Sequence, residues 1–285
     1  MKELLLHPVT KHQLADFAGA PSHAVLLVGS MGSGKMALAT DLLETILGLP
    51  PDGLAGYPYK TIITSEDGKA ISIEAVRELE HFLSLKVPGQ AIHNRAVIIE
   101  DAHLLSIEAQ NALLKTLEEP PEGTLVILTA ASEQALLPTI RSRAQAISVK
   151  RPGQEAIETY FQAQNFDDKA IKQAYVISGG LPGLMSALLE QTEHPLLFAT
   201  QQARQLLSQS AYERLLSVDE LSKQRQLALD TMFILQQMAH VSLQSAAGET
   251  ADKWQAVQAA SYQAAEALAA SAQPKLALAN LMLSF

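Results

Sequence analysis

The residues of this sequence that could handle phosphate begin with a glycine-rich segment. Residues 29–35 read GSMGSGK; they follow an apolar run from Ala24 to Val28 and precede a helical pattern from Ala37 to Leu47. Strand, glycine-rich turn and helix is the context of a phosphate-binding loop, where backbone N–H groups converge on phosphate oxygens. Lys35 would contact the β- and γ-phosphates. The predicted ATP-binding residues are Gly29, Ser30, Gly32, Ser33, Gly34, Lys35 and Met36.

Met36 departs from the pattern of such loops. A Ser or Thr at this position normally ligates Mg²⁺ through its hydroxyl, whereas a thioether is a poor ligand for a hard cation. The sequence therefore predicts a phosphate loop that can take ATP but argues against Mg²⁺ as its partner, and it predicts no protein metal site.

Two acids, Glu100 and Asp101, end the apolar run from Ala96 to Ile99. Open α/β sheets bind ligands at the carboxyl ends of their strands, so the pair is predicted to be Walker B-like. The simpler alternative is a solvated pair at a strand end. The usual order is Asp for the metal and Glu for the attacking water, and this sequence reverses it. Because the position of that water tolerates little change, hydrolysis is predicted to be impaired.

Arg143 is the candidate arginine finger, against the alternative of an ordinary surface arginine. It closes the run Leu-Pro-Thr-Ile-Arg-Ser-Arg at residues 137–143. Its planar fork of donors would stabilise the γ-phosphate charge of a nucleotide on a neighbouring subunit. Thr129 is the polar residue available for a sensor role at the end of the next apolar run, Leu125 to Thr129.

The elements that must position these residues form an α/β pattern. The runs 24–28, 96–99 and 125–129 are apolar throughout, which predicts strands covered on both faces. A helix over 107–117 is capped by Ser106. Residues 61–64 and 70–73, joined by an Asp-Gly turn, predict a hairpin. After Pro152 the pattern becomes helical, and the last helix, from Pro274, is apolar on more than one side, which suggests a bundle core or a subunit interface.

Composition excludes several classes of function. A net charge of −9 argues against a chain that grips DNA alone, and the lack of cysteine removes disulfides and thiolate zinc sites. The eight histidines are scattered and predict no ligand set. No apolar run is long enough to span a bilayer and no signal-peptide pattern is present, so we expect a cytoplasmic protein without membrane partners.

Residues 111–121, NALLKTLEEPP, followed by LPTIRSR at 137–143, resemble bacterial DNA polymerase III clamp-loader subunits. The resemblance extends to the phosphate loop, to Lys69–Leu79 and to Pro-Lys-Leu-Ala-Leu near the end. It implies an α/β AAA+ P-loop domain with a parallel sheet (residues 1–150), an all-α lid (151–205) and an all-α collar (206–285). It also implies a pentameric ring with gamma/tau-like and delta-like subunits that loads the sliding clamp onto primed DNA, as part of the polymerase III holoenzyme.

The departures resemble the delta-prime type of subunit more than the gamma type. Met36 and the reversed Glu100-Asp101 stand at the ATP site, and Pro182 stands where the ATPase subunits have a sensor arginine. The zinc module of the family is absent with its cysteines. The leading hypothesis is thus a ring member that donates Arg143 and has weak or no hydrolysis. The alternatives are an active, gamma-like AAA+ ATPase and a free-standing nucleotide-regulated adaptor.

Overall fold

The computed structural model describes residues 4–65, 69–87, 93–270 and 273–285. The chain divides into two compact units, Met1–Pro152 and Gly153–Phe285. The further division of the helical part into a lid and a collar stays a prediction. None of the described helices is long and apolar enough to cross a membrane.

The first unit is built on a parallel sheet with the order β2-β3-β4-β1-β5. Its strands are β1 (Ala24–Val28), β2 (Lys60–Ile63), β3 (Arg95–Ile99), β4 (Thr124–Ala130) and β5 (Gln145–Ser148). Its helices are α1 (Pro8–Gly19), α2 (Lys35–Leu47), α3 (Ile73–Ser84), α4 (Ile107–Glu118) and the short α5 (Pro138–Arg141).

Helices cover both faces of this sheet, which explains why its inner strands are mostly apolar. Alternate strand residues such as Leu26 and Val126 pack against α3 and α4, and their neighbours Val25 and Ile127 pack against α1 and α2. Side chains of successive strand residues point to opposite faces, so one strand feeds two cores. We refer to these as the α3–α4 core and the α1–α2 core.

The predicted hairpin at residues 61–73 is wrong. β2 pairs in parallel with β3, with Lys60 opposite Ala96, and Ile71 forms an isolated parallel bridge with Leu105. Ile71 is buried in the α3–α4 core, which outweighs the local turn signal. Residues 66–68 of the turn lie outside the described residues.

The second unit is all helical. Its helices are α6 (Gln154–Ala163), α7 (Asp168–Ser178), α8 (Pro182–Glu190), α9 (Leu197–Ser208), α10 (Ala211–Leu221), α11 (Arg225–Leu243), α12 (Glu249–Ala269) and α13 (Pro274–Leu283). α7 ends at Gly179, which has a left-handed conformation and lies against Gln237 of α11. A parallel α/β unit followed by an all-α unit agrees with the predicted fold class.

Candidate functional site

The glycine-rich segment forms the turn between β1 and α2. Gly32 and Gly34 have φ angles of +73° and +84°, a region that favours glycine. A Cβ at Gly29 would lie 3.0 Å from the hydroxyl of Ser33 and from Val149. The Ser33 hydroxyl is buried without a hydrogen-bond partner. The turn is therefore tight and holds an unpaired hydroxyl that suits a phosphate oxygen.

Lys35 is the first residue of α2, and its side chain folds back onto the turn. Nζ donates to the backbone oxygens of Gly29 (2.9 Å) and Ser30 (3.1 Å). Burial lowers the pKa of Lys35, and the negative charges of Asp101 and Glu100 oppose that shift. The structure thus brings Lys35 within electrostatic reach of both acids, and contact with a phosphate would require Nζ to leave the two carbonyls.

Glu100 and Asp101 follow β3 at the carboxyl edge of the sheet. Asp101 has a left-handed backbone (φ +47°), and its N–H donates to Oγ1 of the fully buried Thr129 at 2.9 Å. Burial and the adjacent Asp101 raise the pKa of Glu100, while Lys35 opposes the shift. Thr129 thereby ties the backbone at the two acids to the neighbouring strand, β4.

His103 also lies in this cluster, and it was not among the predicted site residues. Its Nδ1 lies 4.0 Å from Oδ1 of Asp101. Burial lowers the pKa of His103, against the pull of Asp101. Its position two residues after the acids was the only available signal.

The side chain of Met36 packs against the α1–α2 core, so it is not directed solely at the candidate phosphate site. The residue thus serves apolar packing at the position where a hydroxyl would ligate Mg²⁺. Within the described ranges, no three His, Cys, Asp or Glu side chains are grouped closely enough to hold a metal ion.

Arg143 follows α5 and is held by its own chain. Nη2 lies 2.6 Å from Oε1 of Glu118, the last residue of α4, and Nη1 donates to the oxygen of Thr139 at 2.9 Å. The Arg143 side chain remains 32% exposed. Glu118 belongs to the LEEPP run, but its pairing with Arg143 was not predicted.

The strand register places Arg143 at the amino ends of the strands, whereas the glycine-rich turn lies at their carboxyl ends. β5 runs parallel to β1, with Gln145 opposite Val25 and Ser148 opposite Val28. Arg143 thus precedes the start of β5, whereas the turn follows the end of β1. At roughly 3.3 Å per residue, the two are separated by about 20 Å along the strands. Arg143 is therefore too distant to serve the turn of its own chain.

Gln110 positions the segment that carries Arg143. It is buried on α4; its Nε2 donates to the oxygen of Leu105 (3.1 Å) and its Oε1 accepts from the N–H of Leu137 (2.9 Å). A polar residue inside the buried stripe of a helix was the signal that sequence analysis passed over.

Comparisons with known proteins identify the family of this chain. A family model described as DNA polymerase III, delta subunit, matches residues 9–153. The delta' subunit of DNA polymerase III from Pseudomonas aeruginosa is 31% identical over 178 residues, which covers 56% of this chain and 54% of that protein. Subunit tau of Bacillus subtilis DNA polymerase III is also 31% identical, over 148 residues that cover 48% of this chain and 26% of that protein.

Among solved structures, a gamma subunit-related protein of DNA polymerase III from Thermotoga maritima superposes with a TM-score of 0.53. The sequence identity is 18%, and the match covers 96% of this chain and 97% of that chain. This likeness concerns the fold alone, a parallel α/β domain followed by helices. The sequence matches span about half of the Pseudomonas aeruginosa protein and about a quarter of the Bacillus subtilis one.

Proposed function

We propose that this chain, which belongs to the DNA polymerase III delta subunit family, is a delta-prime-like member of a clamp-loader ring. Its similarity to the delta' and tau subunits of DNA polymerase III supports this proposal. In the proposed role it completes the ATP site of a neighbouring subunit with Arg143 and contributes little or no hydrolysis of its own.

The observation that carries this proposal is the location of Arg143. It lies at the amino ends of the strands, away from its own glycine-rich turn, is partly exposed, and is held in place by Glu118. A guanidinium so placed can reach a γ-phosphate only on another chain. Its delocalised charge and fixed fork of donors suit the transition state of phosphoryl transfer.

The chain's own candidate site supports the proposal that it hydrolyses ATP weakly or not at all. Met36 packs into a core, Lys35 is bonded to the carbonyls of the turn, and Glu100 stands where an Asp is usual. Pro182 begins α8 at the position where the resemblance expects a sensor arginine. ATP, if it binds, would contact the residues from Gly29 to Met36, and Mg²⁺ would lack its hydroxyl ligand.

The proposed partners are gamma/tau-like and delta-like subunits in a pentameric ring, and through them the sliding clamp and primed DNA. We propose that exposed apolar side chains of the helical unit serve such assembly. α10 and α13 pack against each other and leave Tyr212, Leu216, Leu276 and Leu283 exposed. We call these four residues the α10–α13 surface.

The test is Arg143→Ala in a loader reconstituted from all its subunits. DNA-stimulated ATP hydrolysis should lose the contribution of the one site that Arg143 completes, because arginine fingers are worth about 10³–10⁵ in rate at the site they serve. Ring assembly, measured by light scattering, should persist. Arg77→Ala, which removes an exposed guanidinium from α3, is the matched control. Unchanged turnover with Arg143→Ala would remove the proposal.

A second candidate function is an active, gamma-like ATPase. The juxtaposition of Lys35 with two acids and the unpaired Ser33 hydroxyl favours it. Calorimetric titration of the isolated chain with ATP, with and without Mg²⁺, followed by a phosphate-release assay, separates the two. Mg²⁺-dependent turnover that Lys35→Ala abolishes would select the ATPase.

A further inference from the structure

A groove in the helical unit lies apart from every residue discussed above. It encloses about 690 Å³ between three helices. Its walls include Lys169, Lys172, Gln173 and Val176 of α7, Arg204 of α9 and Met238 of α11.

α7 has two faces, and only one of them packs into the helical unit. Ile171, Ala174 and Tyr175 are buried. Lys169, Lys172, Gln173 and Val176 recur at spacings of three and four residues, so they line the other face of the helix. This second face forms one wall of the groove, with cations towards its start and an apolar residue towards its end.

The three cations of the groove are unengaged. The side chains of Lys169, Lys172 and Arg204 make no hydrogen bond or ion pair with any residue that the structure describes. Other cations of the unit are used structurally, since Arg214 donates to the oxygen of Met282 and Lys275 pairs with Asp219.

This cationic cluster stands out against its surroundings. From residue 153 onward the chain has eight Lys and Arg against thirteen Asp and Glu, and three of the eight cations meet at this groove. One acid, Asp168, also lines the groove, and its Oδ1 accepts a hydrogen bond from Nε2 of Gln162 at 2.9 Å. A basic site in an acidic unit attracts an anionic partner selectively.

The floor of the groove specifies the kind of anion. Val176 is 38% exposed and Ile177 is partly buried, and these two supply the accessible apolar surface; Met238 also lines the groove but is only 5% exposed. Methionine adapts to varied apolar shapes. A nucleic acid would pair its phosphates with the cations but leave this apolar floor uncovered.

We propose that this groove docks an acidic peptide segment of a partner protein. Aspartates and glutamates of the segment pair with Lys169, Lys172 and Arg204, and an apolar side chain between them covers Val176 and Met238. The site goes beyond the proposed role of Arg143 and does not depend on it.

The test uses fluorescence anisotropy of the full chain with a short labelled peptide of Asp and Glu around two leucines. A peptide with serines in place of the leucines and a labelled oligothymidine are the reference probes. We expect the leucine peptide to bind in a salt-dependent manner and more tightly than both. Lys169→Glu/Lys172→Glu should weaken it by about tenfold or more, since both pairs become repulsive.

Lys223→Glu/Lys253→Glu is the matched control, because it makes the same charge change at exposed lysines outside the groove. Val176→Ser removes part of the floor at a partly exposed position, so it tests the proposal even where the lysine variant fails to fold. Absence of binding, equal binding of the three probes, or an equal effect of the control variant would overturn the proposal.

Discussion

Lys35, Glu100 and Asp101 interact electrostatically at the carboxyl ends of the strands. Burial acts against the charged forms of Lys35 and Glu100, and the opposite charges nearby partly restore them. Such a cluster is neutralised internally, which leaves less positive charge available for a triphosphate.

Glu100 should make the stability of the protein depend on pH. Burial and Asp101 raise the pKa of Glu100 in the folded protein, so the folded state binds the proton more tightly than the unfolded state does. Its charge therefore costs stability above the folded pKa, and the cost disappears below the unfolded value. We expect Glu100→Gln to melt a few degrees higher than the parent at pH 8 and at the same temperature near pH 4.

Glu108 provides a control of opposite sign in the same unit. Hydrogen bonds from its own backbone amide and from Ser106 lower the pKa of Glu108, so its charge stabilises the fold above the unfolded pKa and this gain is lost as the pH falls. Glu108→Gln should thus melt slightly lower at pH 8. Equal shifts for both variants would contradict the assignment of Glu100.

Thr129 should matter through its hydroxyl. Thr129→Val keeps the shape of the side chain but leaves the N–H of Asp101 without its acceptor. Such a loss costs about 1–2 kcal/mol, and amide exchange at Asp101 should accelerate accordingly. Thr129→Ser retains the hydroxyl and should keep the protection of that amide. Protection that is kept in Thr129→Val and lost in Thr129→Ser would show that the methyl group, rather than the hydrogen bond, fixes Asp101.

At the scale of elements, the contact between α7 and α11 depends on Gly179. The residue has φ +63°, and a Cβ there would lie 2.3 Å from Cβ of Gln237. Gly179→Ala should therefore combine backbone strain with a steric clash and cost more than about 2 kcal/mol. Thermal melting of the chain measures this loss.

Gly48 is the matched control for that substitution. It also ends a helix in the left-handed conformation (φ +66°), but a Cβ there would meet no atom within 4 Å. Gly48→Ala should cost only the strain, about 1–2 kcal/mol. A similar loss for both variants would mean that the approach of α11 contributes little.

The elements that sequence analysis predicted are those with a long, regular pattern. β1, β3, β4, α2 and α4 all follow from uninterrupted apolar runs or helical spacing. β5 was not predicted because it is short and three of its four residues are exposed. β2 was assigned to a hairpin because its four residues carry no information about which distant strand they pair with. Parallel pairing is decided by tertiary contacts.

The candidate site was predictable to the same extent. Residues within motifs, such as Lys35, Glu100 and Arg143, could be identified from type and spacing. Glu118 and Gln110 could not, because their roles come from contacts with α5 and the segments on either side of it. The ATP-binding and arginine-finger roles themselves stay predictions until the proposed assays are done.

At the scale of the whole molecule, the two ends of the sheet would contact different neighbours in the proposed ring. One edge presents the glycine-rich turn and the other presents Arg143, so a copy or relative on each side would meet a different surface. Such head-to-tail contacts generate rings when the rotation closes. A subunit can then lose its own chemistry and still complete that of its neighbour.

The α10–α13 surface should hold the chain in the ring without contributing to its own fold. Leu216 and Leu283 are 64% and 63% exposed. Leu216→Asp/Leu283→Asp should therefore change the stability of the isolated chain by no more than about 1 kcal/mol, since exposed substitutions are usually within about 0.5 kcal/mol each. Burying two carboxylates in an apolar interface without partners is strongly unfavourable, so the variant should fail to join a complete loader.

Light scattering of the reconstituted mixture measures this outcome, and a melting curve of the variant alone confirms that it is folded. Tyr262→Asp, at an exposed aromatic residue of α12 outside the surface, is the control and should assemble normally. A full ring with the double variant would show that assembly uses another surface. Because that result would leave the position of Arg143 unchanged, it would separate how the chain is held in the ring from what it does there.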